Sequence, residues 1–213
     1  MTDSETTLTL LATLLGIVIV TDAHGAANQC TERRLTAYEC AAQAVEVHSG
    51  QGEVWAGYYA DVPVVVAAAV ARIRPGPARL TDCELADHLV TFAWYETTLR
   101  RRPGPDGEHG YTQVRSCESM GVDCSDDTYN DDRTRPRAES LASDPVLGLW
   151  WTGSRLEAQG TARVVFRSYN GSGPNAECYA DRHLWAVNRI RRWREGHPVR
   201  GVSLRSPPTR WCR

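Results

Sequence analysis

The segment TDCELADHLVTFAWYET, residues 81–97, decides the fold class. Thr81 or Asp82 supplies an N-cap oxygen, and Glu84 adds a favourable charge to the first turn of a helix. Leu85, Leu89, Phe92, Ala93 and Glu96 then fall at offsets 0, 4, 7, 8 and 11, which is one helical face. Glu96 therefore extends an apolar stripe. A carboxyl at the edge of a core loses water, so its ionised form is disfavoured and its pKa rises. A carboxylic acid still protonated near neutrality is what glycosidic cleavage requires, because the leaving oxygen must take a proton as the bond breaks.

This helix is predicted over about 81–99 and, working outward, apolar residues at helical spacing predict further helices over about 30–48, 62–73, 144–158, 161–170 and 178–194. Gly50-Gln51-Gly52, Pro75-Gly76-Pro77, Pro103-Gly104-Pro105 and Gly171-Ser172-Gly173-Pro174 separate them. Val64-Val65-Val66 reads as helix or strand. The expected fold is mainly α, with a long irregular region from Arg100 to Arg137 of the kind that is usually functional or disordered. At 213 residues, 42% hydrophobic and 23% charged, the chain can bury one core unaided, and neither disorder nor a multi-span membrane protein fits.

Seven cysteines (Cys30, Cys40, Cys83, Cys117, Cys124, Cys178 and Cys212) lack the paired spacing of a zinc site, so disulfides are expected, with the connectivity open. Cys117 and Cys124 are placed to close a small loop. The apolar run Leu8 to Val20 is too short to span a bilayer and suits a signal-peptide core, with small residues at Ala23 and Gly25. Residues 1–25 are accordingly read as a signal peptide or a hydrophobic N-terminal helix. The protein is expected to be exported, whether periplasmic, extracellular or virion-associated, with no stable membrane span.

All 24 basic residues are Arg. Residues 1–60 carry seven acids against Arg33 and Arg34, whereas residues 182–213 carry nine Arg against Glu195 alone. That basic end suits an anionic wall polymer; no nucleic-acid motif accompanies it. The histidines show no HExxH or paired spacing. The acidic cluster Asp123, Asp126, Asp127, Asp131 and Asp132 lacks the central Gly and terminal Glu of a calcium loop, so neither metal nor cofactor is expected.

Two further motifs follow Glu96-Thr97 in order. Gly110-Tyr111-Thr112-Gln113 offers a close backbone approach and an uncharged amide for sugar hydroxyls; Ser168-Tyr169-Asn170-Gly171 offers a phenol beside an amide. Together with Asp144-Pro145 and the helix after it, these resemble the lytic transglycosylase SLT family of the lysozyme-like superfamily. The resemblance covers roughly residues 81–192. It implies a lysozyme-like helical domain at 81–195, preceded by a helical segment at 26–80 and followed by a basic tail at 196–213.

It also implies a peptidoglycan lytic transglycosylase acting on glycan strands without a cofactor. Glu96 would be the catalytic acid and then base, with Gln113, Tyr169, Asn170, Tyr111 and Thr97 around the sugar. The bond cut would be the β-1,4 link between N-acetylmuramic acid and N-acetylglucosamine, leaving a 1,6-anhydromuramyl end. Thr97 stands for the family's Ser, and Tyr111-Thr112 for its Leu-Met. Asp106 or Glu108 could activate water instead, giving a lysozyme-type hydrolase. A non-catalytic wall-binding or structural module with the same fold is the other alternative. Among the tryptophans, Trp150 and Trp151 are the candidates for sugar stacking.

Overall fold

The cap ahead of Asp82 is a complete capping box. The Thr81 hydroxyl accepts from the Glu84 N–H at 3.2 Å, and the Thr81 N–H donates to Glu84 Oε2 at 2.9 Å. Thr36 and Glu39 repeat the device at the first helix, with distances of 2.8 and 3.2 Å. The computed structural model of the protein describes residues 34–49, 59–99, 108–121, 135–159, 162–169 and 174–197.

Among the described residues the chain is mainly helical: α1 (Ala37–Ser49), α2 (Val62–Val70), α3 (Asp82–Thr97), α4 (Ser116–Met120), α5 (Arg135–Ser143), α6 (Pro145–Ala158), α7 (Ala162–Tyr169) and α8 (Pro174–Arg194). A two-stranded antiparallel hairpin, β1 (Glu108–His109) and β2 (Val114–Arg115), lies between α3 and α4. Val64-Val65-Val66 is helical; the neighbouring Pro63 stands at the first turn of α2, where its missing N–H costs nothing. The region expected to be irregular from Arg100 to Arg137 instead contains the hairpin, α4 and the start of α5. The expected leader at residues 1–25 and all but the first two residues of the basic tail lie outside the described residues.

The single face expected for α3 is too narrow. Every residue from Leu85 to Trp94 is buried, because α1, α2, α6 and α8 all pack against this helix. Leu89, Phe92, Leu156 and Ile190 are fully buried around it, each stabilising by roughly 1.5–3 kcal/mol relative to exposure. The Asp87 carboxylate on α3 is buried with a charged partner. Arg194 clamps the Asp87 carboxylate at 2.7 and 3.0 Å and donates to Gln43 at 2.7 Å, tying α8, α3 and α1 together. Burial pushes the Asp87 carboxyl up, and the Arg194 bonds pull against that shift. The core is continuous across residue 80: Cys40 on α1 is disulfide-bonded to Cys83 on α3, 43 residues apart. Closing a loop of that length in the unfolded chain is worth about 4 kcal/mol. Cys117 and Cys178 are each in a disulfide as well, with a partner outside the described residues; Cys124, expected beside Cys117, lies outside the described residues.

Two close approaches set the position of α6. A Cβ at Gly153 would stand 2.3 Å from the Ile73 Cδ1, and one at Gly148 would stand 3.3 Å from the Thr112 hydroxyl. The missing side chains let the segment after α2 and the hairpin turn both sit on this helix. The Glu157 carboxylate then accepts from the N–H groups of Gly76 (2.7 Å), Leu80 (2.8 Å) and Arg79 (3.2 Å), fixing the connection between α2 and α3. No helix among the described residues is long and apolar enough to cross a membrane.

Candidate active site

Glu96 occupies the last turn of α3, and the way this helix ends determines its surroundings. Thr98 and Leu99 both adopt left-handed backbone, at φ 54° and 58°. Their N–H groups return to the Trp94 and Ala93 carbonyls at 2.9 and 3.0 Å. A β-branched residue in that region carries strain. Burial of Leu99 to 3% exposure offsets it by anchoring the turn in the core.

Thr97 lies with its hydroxyl 2.8 Å from the Ala93 carbonyl and 3.1 Å from the Tyr111 carbonyl, sharing one proton between them. The second contact joins the end of α3 to the hairpin turn, so the motif containing Glu96 and the motif from Gly110 to Gln113 meet in space. Gly110 takes φ 76° and Gln113 φ 49°, and the Gln113 amide donates to the Gly110 carbonyl at 3.0 Å, closing the turn on itself.

The Glu96 carboxyl is half-buried. Burial raises its pKa, the Tyr179 hydroxyl bonded to Oε1 lowers it, and the Glu108 carboxylate across on β1 raises it again; the net direction is up. Desolvation outweighs the phenol, which leaves a carboxyl that holds its proton better than a free glutamate does. Tyr179 stands on α8, which presents Ala176, Ala180 and His183 to the core. It was not among the residues read from the sequence. Its place one step to the side of that buried stripe is the only sequence signal that could have pointed to it.

The other expected site residues divide. Gln113 is partly exposed beside the hairpin, though its amide serves the turn. Thr97 and Tyr111, expected at the sugar, are buried to 1% and 3% exposure, and the Tyr111 hydroxyl donates to Asp61 at 2.8 Å. They support the turn from behind. Tyr169 is the last residue of α7; its side chain and Asn170 lie outside the described residues. Among the described residues no group of three or more His, Cys, Asp or Glu side chains is placed to hold a metal ion. No family model, curated protein or solved structure matches the chain.

Proposed function

We propose that the protein is a peptidoglycan lytic transglycosylase with Glu96 as its catalytic acid. The carrying observation is the place of this carboxyl: half-buried at the end of α3, hydrogen-bonded by Tyr179, and held against the Gly110–Gln113 turn through the Thr97 contact. Glu96 protonates the oxygen between N-acetylmuramic acid and N-acetylglucosamine. As carboxylate it then takes the proton of the muramyl C6 hydroxyl, which attacks C1 and closes the 1,6-anhydro ring. Tyr179 supplies a hydrogen bond to the carboxylate that forms between those two steps, which favours the base form without supplying charge. The hairpin turn, with backbone groups fixed by Gly110 and Gln113, is the element that would meet the sugar.

Glu108 supports a second reading. Its carboxylate is close enough to act on Glu96, and a second carboxylate able to activate water would make the protein a lysozyme-type hydrolase of the same bond. Product mass separates the two, since anhydro ends are lighter than reducing ends by one water. The test digests purified sacculi with the protein and with Glu96→Gln. Anhydro-muropeptides from the first and none from the second are expected, with both proteins showing the same helical circular dichroism. Undiminished release by the Gln variant would remove the assignment.

A further inference from the structure

A cavity of about 510 Å³ opens between α6 and the connection from α2 to α3, lined by Arg72, Arg74, Trp150 and Ser154 among others. Its walls are fixed in advance. Trp150 Nε1 donates to the Arg72 carbonyl at 3.2 Å, which holds the indole in place. The floor is the loop that Glu157 grips with three backbone hydrogen bonds, and Gly76 is needed there because a Cβ would stand 2.6 Å from the Glu157 carbonyl oxygen. Preformed walls of this kind cost a ligand little ordering on entry.

The chemistry of the lining is specific. The Glu157 charge is taken up by the loop N–H groups, so the free charge at the rim is cationic. Arg74 is exposed and makes no ion pair among the described residues. Arg72 stands 3.7 Å from an Asp144 oxygen, with both side chains about half-exposed, a loose pair that water screens. A guanidinium binds a carboxylate through parallel N–H bonds. An indole supplies a flat apolar wall with a polar edge, and Ser154, one turn beyond Trp150 on the same face of α6, supplies a hydroxyl.

We infer that this groove binds an acidic sugar, with the ring against Trp150, the carboxylate at Arg74 and Arg72, and a ring hydroxyl at Ser154. It is separate from the Glu96 motif, and its acidic-sugar chemistry follows from its own lining. Only the choice of an amino sugar as one probe rests on the muramidase reading. For a wall enzyme such a site would retain a glycan strand carrying free muramyl carboxylates.

The test is a proton–nitrogen NMR titration of the full chain, following the Trp150 indole signal identified by Trp150→Phe. N-acetylmuramic acid or glucuronic acid should produce a saturable shift at millimolar concentration, and Arg74→Gln should weaken binding about tenfold. Glu96→Gln should titrate like the parent, which keeps this result independent of whether the wall is cleaved. No shift with either acid would overturn the inference. An equal response to neutral N-acetylglucosamine or to inorganic phosphate would overturn it as well.

Discussion

Tyr179 and Glu108 act on Glu96 with opposite signs. The phenol stabilises the carboxylate and lowers its pKa, while the neighbouring carboxylate raises it. A general acid must be protonated in the complex, so the alkaline limb of the pH profile follows its pKa. Tyr179→Phe should therefore move that limb to higher pH and Glu108→Gln to lower pH. Steady-state cleavage of labelled sacculi across pH 4–9 measures both; shifts of the same sign would show that neither group reports on Glu96. From the sequence, Glu96 could be read because it continues an apolar stripe. Tyr179 could not be matched to it, since a place beside the buried stripe of α8 does not identify a partner 83 residues away.

The left-handed end of α3 has a cost of its own. Thr98 adopts a conformation that glycine takes without strain. Thr98→Gly should raise stability by about 1 kcal/mol, measured as the urea midpoint at constant slope, and a fall of that size would mean the turn is unstrained. Sequence located most helices well, because glycine and proline clusters punctuate them and their apolar residues recur at helical spacing. The elements it missed lack that pattern. The strands of the hairpin hold two residues each, too few to show alternation. In α5, with the sequence RPRAESLAS, Leu141 alone is buried. Glu157 and Asp87 read as surface charges until the packing that surrounds them is known, and seven cysteines permit too many pairings to single out Cys40 with Cys83.

At the scale of the molecule, three of the described histidines lie deepest in the core. His48, His88 and His183 are buried at 2%, 3% and 0% exposure. His183 stacks on Phe166 of α7 and lies 5.7 Å from His88, and among the described residues neither of its ring nitrogens has a hydrogen-bond partner. Burial lowers all three pKa values, His48 to about 3, His88 to about 4 and His183 well below its ordinary value. For His88 the Arg191 charge adds to the lowering and Glu84 opposes it; for His183 the other two histidines add to it.

The unfolded chain thus binds protons that the fold refuses. Stability should fall as pH drops below the unfolded histidine value near 6.5, and continue to fall toward the folded values. For His48 and His88, with folded values of about 3 and about 4, this costs about 2 kcal/mol each between pH 7 and pH 5. His183→Leu should lessen the loss, read from urea unfolding at the two pH values. An unchanged pH dependence would show that His183 is not kept neutral by burial.

The most direct measurement is a carbon-13 pH titration of the Glu96 side-chain carboxyl in the intact protein, with Glu96→Gln identifying the signal. The expected midpoint lies above that of an ordinary glutamate, rises further in Tyr179→Phe, and coincides with the alkaline limb of sacculus cleavage. A midpoint at or below the ordinary value, unmoved by loss of the phenol, would contradict the assignment of Glu96 as a buried proton donor.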